Sequence, residues 1–220
     1  LHYPLRRQRQ MCIRARIREV HHRVKNNFQV ISSLLNLQSQ SFSDPGLKEA
    51  FRECKSRIMS MSLIHEKMYG SHNLAEIPFD EYLAGFINEF RVSYAENLKD
   101  VALRLDADRV MLDLDRAIPL GLIVNELLTN AVKYAFPPAF DGEKKIGIEL
   151  YEREGMAHLT VTDNGVGLPG GVTPGDTVTL GLTLVPLLVE QVRAVMTITR
   201  ENGSAFHVFF RMESAGGGEG

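Results

Sequence analysis

The chain has 220 residues, of which 44% are hydrophobic and 24% charged, and its formal net charge at pH 7 is −2. That is enough chain for one large or two small domains of ordinary soluble composition. The near-neutral balance gives no electrostatic case for non-specific nucleic-acid binding, and no apolar run approaches the roughly 18 residues of a membrane span.

The start is basic (Arg6, Arg7, Arg9, Arg14, Arg16, Arg18), and its charges fall in a helical pattern, so a solvated helix face is expected there. The pattern has begun by the first residues without a capping signal, as expected of a fragment, and no signal peptide is visible. Ile13, Ile17, Val20, Val24, Phe28, Ile31 and Leu35 recur at steps of three and four and predict a long amphipathic helix. Asp44-Pro45 is a helix start, with Asp as N-cap and Pro at the first helical position. A second stripe follows through Leu47, Phe51, Cys54, Ile58, Met61, His65 and Met68, ending near Gly70. Each helix shows one apolar face, so the two are expected to pair as a hairpin. Cys12 and Cys54 have no metal or redox spacing and suit a reducing cytoplasm.

From about Ile77 the pattern changes. Pro78–Tyr94 reads as a helix, Val101–Leu105 and Val110–Leu112 as short strands, and Leu114–Ala135 as another helix. Ile146–Tyr151 and His158–Thr162 read as strands around a turn near Gly155. A Gly- and Pro-rich loop runs to Thr179, followed by a helix from Leu180 to Val192. Strands Val195–Thr199 and Ala205–Arg211 flank an Asn202-Gly203 turn. Helices on one side of a mixed sheet make an α+β sandwich. A Gly-rich tail occupies 214–220.

Within the first helix, His22 lies two residues from both Val20 and Val24, about 160° around the helix from each. It therefore belongs to the polar face, with Glu19 one turn before and Lys25 and Asn26 one turn after, whereas His21 flanks the apolar stripe. A neutral imidazole beside a carboxylate is a competent nucleophile. From this helix alone a surface histidine remains the alternative.

About a hundred residues on, Asn125-Glu126-Leu127-Leu128-Thr129-Asn130 lies on the Leu114–Ala135 helix, followed by Lys133 and Tyr134. Glu126 and Asn130 share a face, an Asn amide oxygen is a suitable Mg²⁺ ligand, and a Lys can hold a phosphate. A solvated helix face is the other reading. Asp163-Asn164-Gly165-Val166-Gly167 follows a strand. Its glycines permit close backbone approach, and its Asp can accept from an exocyclic amine such as adenine's. Gly181 stands at a helix start, where N–H groups face an anion, and the loop 168–179 is a candidate flap.

Together and in this order, these motifs resemble the N box and the two Gly-rich boxes of the Bergerat-fold ATPases, the family of gyrase, Hsp90, MutL and histidine kinases. Glu19-x-x-His22-Arg-Val-Lys-Asn-Asn-Phe-Gln-Val-Ile resembles the phosphoacceptor box of HRxxN-type sensor histidine kinases, relatives of the HWE group. The resemblance covers residues 10–211. It implies a dimerisation and phosphotransfer hairpin (1–72), a Bergerat-fold ATP-binding domain (73–213) and a tail. His22 would be the phosphoacceptor, Asn130 the Mg²⁺ ligand, and Glu126 the acidic residue of the metal site. Asn125, Lys133, Tyr134, Asp163, Gly165, Gly167 and Gly181 would surround ATP.

The acid that often follows the histidine in this family is replaced by Arg23, and Glu19 is the base expected in its stead. The implied partners are a response-regulator receiver domain and a second copy of the chain, a monomer being the alternative. A hinge near 71–75 would bring ATP to His22. Asn26 matches a position that can orient water for receiver dephosphorylation. A serine kinase of anti-sigma type or an ATP-sensing scaffold of the same fold are the rival readings.

Overall fold

The computed structural model describes residues 23, 24, 26–70, 76–168 and 180–212. Glu19, His21, His22, the segment 71–75, most of the 168–179 loop and the tail lie outside them.

Residues 26–41 form helix α1 and Pro45–Gly70 helix α2. The backbone N–H of Leu47 donates to Asp44 Oδ1 at 2.9 Å, so Asp44 caps α2 as its sequence position implies. Ring contacts join the two helices at both ends of the hairpin: Phe28 with His65 at 5.8 Å, and Phe42 with Phe51 at 5.4 Å. Val30, Ile31, Leu34 and Leu37 remain exposed along α1.

The single apolar face expected of α2 needs correcting. Leu47 and Cys54 of the sequence stripe are exposed, and the residues of α2 most deeply buried include Ser56, Ser60, Ser62 and Ile64. These belong to a second, small-residue face that packs on the rest of the chain. Serines carry no hydropathy signal, so the pattern in sequence shows only the face turned to α1.

Strand β1 (Ile77–Pro78) pairs antiparallel with β3 (Met111–Leu112) and leads into α3 (Phe79–Ser93). Helix α3 buries Phe79, Tyr82, Leu83, Phe86, Ile87 and Phe90. The main sheet contains β2 (Val101–Ala107), β4 (Lys144–Arg153), β5 (Met156–Asp163), β6 (Val195–Thr199) and β7 (Ser204–Arg211), in the order β2-β4-β5-β7-β6. Only β2–β4 is parallel, so the sheet is mixed as expected. Alternate residues (Ile146, Ile148, Leu150; Ala157, Leu159, Val161; Phe206, Val208, Phe210) are buried on one face, the period-two signature of a sheet covered on one side. Glu154, Gly155, Asn202 and Gly203 all have positive φ, which closes the two hairpins.

Helix α4 (Leu114–Asn130) is capped by Asp113, whose Oδ1 accepts from the Arg116 N–H at 2.9 Å. It is buried all round from Pro119 to Thr129 because the sheet, α5 (Leu180–Gln191) and α2 all pack on it. The sequence pattern predicts helix through Ala135. The structure instead turns into a π-helix at Ala131–Ala135, a wider turn that re-aims the side chains at its end.

Gly121 sets how closely α2 and α3 approach α4, since a Cβ there would lie 2.9 Å from the Tyr82 Cζ and 3.0 Å from Ile64 Cδ1. Gly121→Ala should therefore cost about 1–3 kcal/mol through overpacking. Urea unfolding would measure it, and an unchanged midpoint would contradict this packing.

Candidate nucleotide site

Helix α4 and its π-turn carry most of the candidate side chains. Glu126 is 3% exposed, and both of its oxygens are engaged. Arg57 of α2 donates from Nε to Oε1 and from Nη2 to Oε2, each at 2.7 Å, in a bidentate fork. Asn125 Nδ2 adds a third bond to Oε1 at 3.0 Å. The hydrogen bond to Glu126 holds the Arg57 guanidinium above its ordinary pKa, against the opposing effect of burial.

The first turn of α5 closes on the same carboxylate. A Cβ at Gly181 would stand 2.5 Å from Glu126 Oε2, so only glycine allows this approach. Lys133, on the π-turn, donates to Glu53 of α2, and its Nζ lies 3.5 Å from Glu49 Oε1. Burial lowers the Lys133 pKa, but the bond to Glu53 and the charges of Glu53 and Glu49 outweigh it, so the net direction is up. Tyr134 is exposed. Glu126, Thr129, Asn130, Lys133, Tyr134, Gly181 and Glu53 line a cavity of about 160 Å³. Asn130 Nδ2 is buried without a hydrogen-bond partner, whereas Thr129 Oγ1 faces the Tyr94 hydroxyl. An orphaned group like the Asn130 amide marks a place where a ligand can complete the bonding.

The Asp163–Gly167 turn is pinned against the far end of the π-turn. Val166 N–H donates to the Ala135 carbonyl at 2.9 Å. A Cβ on Gly165 would come within 2.6 Å of that carbonyl carbon. Gly167 has φ +75°, a conformation suited to glycine. Asn164 anchors the turn to the sheet, accepting from Lys145 N–H and donating to the Glu143 carbonyl, both at 2.7 Å. Asp163 Oδ1 accepts from Gly165 N–H at 3.0 Å, yet burial raises the pKa of its carboxyl more than its hydrogen bonds with Gly165 and Ser204 lower it.

The structure thus gathers Glu126, Asn130, Lys133, Tyr134 and Gly181 around one cavity and ties Asp163, Gly165 and Gly167 to its supporting turn. Asn125 stands apart: it is 1% exposed, and its Oδ1 accepts from Ser56 Oγ, so it faces α2 rather than the cavity. Glu19 and His22 fall outside the described residues.

Residues that sequence reasoning passed over are Glu49, Glu53, Ser56 and Arg57 of α2. Glu49, Glu53 and Arg57 recur every four residues on one helix face, which was the available signal. For a cation, the fit is to Mg²⁺ held mainly by phosphate oxygens. Asn130 offers one hard oxygen donor at the cavity, and Glu126 would offer a second on release from Arg57, which is the usual protein share of such a site. Among the described residues no cluster of three or more His, Cys, Asp or Glu side chains forms a separate cation cage.

Two family models match the chain. Residues 19–94 match a family described as "Histidine kinase", and residues 115–214 one described as "Histidine kinase-, DNA gyrase B-, and HSP90-like ATPase". Sensor histidine kinase PdtaS of Mycobacterium tuberculosis is 33% identical over 176 residues, covering 80% of this chain and 34% of the relative. Blue-light-activated histidine kinase 2 of Erythrobacter litoralis is 27% identical over 186 residues, covering 83% of this chain and 52% of the relative. The chain therefore spans about a third to a half of the curated relatives it matches. The solved histidine kinase domain of a blue-light-activated kinase from Erythrobacter litoralis superposes with a TM-score of 0.66 at 25% identity, covering 88% of this chain and 89% of that one.

The raised pKa of Asp163 has a definite sign for stability. The folded state binds this proton more tightly than the unfolded chain does. Stability associated with it is full below the ordinary carboxylate pKa and is lost as pH rises through the folded value. At pH 7 Asp163→Asn should leave the melting temperature unchanged or raised, while nucleotide affinity falls roughly tenfold or more through loss of a charged acceptor. Thermal melts and ATP titrations would check this pair of effects, and a variant that melts lower but binds ATP equally would contradict it.

Proposed function

We propose that this chain, which belongs to the histidine kinase family, is the catalytic core of a sensor kinase that phosphorylates His22 from Mg-ATP and passes the phosphoryl group to a receiver-domain aspartate. The observation that carries this reading is the convergence of Glu126, Asn130, Lys133, Tyr134 and Gly181 on one cavity, backed by the turn that holds Asp163.

In this reading an imidazole nitrogen of His22 attacks the γ-phosphorus of ATP in line. The N–P bond forms as the bond to the bridging oxygen breaks, and ADP leaves. Glu19, one turn away, takes the proton from the other ring nitrogen. The protein's contribution is positioning and charge. Lys133 supplies a cation to the phosphate oxygens, Asp163 accepts from the adenine amine, and Gly165, Gly167 and Gly181 let backbone approach the nucleotide. Asn130 and Glu126 would hold Mg²⁺, which neutralises charge on the phosphates. Asn125 serves by fixing Glu126 rather than by touching ATP.

The division into hairpin (1–72), ATP-binding unit (73–213) and tail follows from this assignment. The apolar stripe left open on α1 (Val30, Ile31, Leu34, Leu37) supports pairing of two copies through the hairpin. Asn26, exposed on α1 and four residues after His22 in the sequence, would orient water for receiver dephosphorylation. No described helix is long and apolar enough to cross a membrane, and a cytoplasmic setting accords with the intracellular receiver partner.

Incubation with γ-labelled ATP tests the assignment. Wild type and His21→Gln should acquire acid-labile label, and His22→Gln should fall to background. Label retained in His22→Gln, or label stable to acid, would overturn it.

A further inference from the structure

In the docked arrangement, α2 engages the same groups that a magnesium nucleotide would. Both oxygens of Glu126 are held by Arg57, and the Lys133 ammonium is shared by Glu53 and Glu49. A cation from α2 thus stands against the metal-binding carboxylate, and anions from α2 stand against the phosphate-binding lysine. Glu53 of α2 also lines the cavity of about 160 Å³ beside Glu126, Asn130 and Lys133.

The rest of the interface joins an apolar part, where Ile64 packs in the core beside Gly121, to a polar one. The buried α2 residues around it include Ser56, Ser60 and Ser62. Ser56 clasps Asn125 and Ser60 bonds the Tyr82 hydroxyl. Polar faces of this kind hydrate readily, as in transient interdomain contacts.

We propose that helix α2 is an internal competitor of ATP: its Glu49–Glu53–Arg57 row occupies Lys133 and Glu126, so docking of α2 on α4 and binding of Mg-ATP are mutually exclusive. The proposal rests on the nucleotide reading of this cavity. Coupling between the two events is reciprocal, so weakening the dock tightens ATP binding and ATP in turn releases α2. A signal that pulls the hairpin away from α4 would thereby open the site.

The test uses the full chain in two measurements. Mg-ATP titration compares wild type with Glu49→Gln/Glu53→Gln and with Ser56→Ala, a variant that removes a clasp but no charge from the cavity. Affinity should rise roughly tenfold for the double variant, within the range usual for coupled sites, and about threefold for Ser56→Ala, the effect of one hydrogen bond. Amide hydrogen exchange across residues 49–60 of wild type should accelerate when ATP is added. Unchanged affinity in both variants overturns the competition, as does unchanged or slowed exchange on α2 while ATP binds. Absence of ATP binding by folded wild type and both variants would instead sink the nucleotide reading itself.

Discussion

A carboxylate on a helix with no solvent-facing side must find a cation or become a liability. Glu126 is in that position, 3% exposed on a helix enclosed by the sheet, α5 and α2. Arg57 meets it with two parallel bonds, and Asn125 adds a third. Removing one partner of such a buried pair costs about 3–5 kcal/mol, whereas the intact pair contributes little net stability. Its importance is therefore positional. It fixes the rotation of α2 over α4, and through that rotation it brings Glu53 and Glu49 to Lys133 and Ser56 to Asn125.

The same enclosure explains the glycines. Gly121 lets α2 and α3 close on α4, Gly181 lets α5 begin against Glu126, and Gly165 lets the Asp163 turn lie on the Ala135 carbonyl. At Gly165 a Cβ would meet backbone, and at Gly121 and Gly181 it would meet the side chains of Tyr82, Ile64 and Glu126. The π-turn completes the arrangement. By widening the helix at Ala131–Ala135 it frees the Ala135 carbonyl for Val166 and carries Lys133 toward α2 and the cavity.

Much of this was legible in the residues. The Asp44-Pro45 cap, the alternation of Ile146–Leu150 and Phe206–Phe210, the turns at Gly155 and Asn202-Gly203, and the shared face of Glu126 and Asn130 each follow from a local rule with a fixed period. The dock of α2 on α4 was not legible, because its contacts are made by serines and by charges that pair across about seventy residues of sequence. Hydropathy cannot distinguish a serine turned to water from one buried against a tyrosine hydroxyl. Asn125 stands in the same polar box, but its Oδ1 faces Ser56 of α2. The π-turn has no pattern in the residues that precede it.

The central claim is that Asn130 and its neighbours form a site for a magnesium nucleotide. The most direct measurement is an ATP titration of wild type and Asn130→Ala with Mg²⁺ present or chelated. The account predicts that Mg²⁺ tightens binding to wild type and that Asn130→Ala abolishes most of this increment while retaining the weaker metal-free binding. An increment of the same size in both proteins would contradict it.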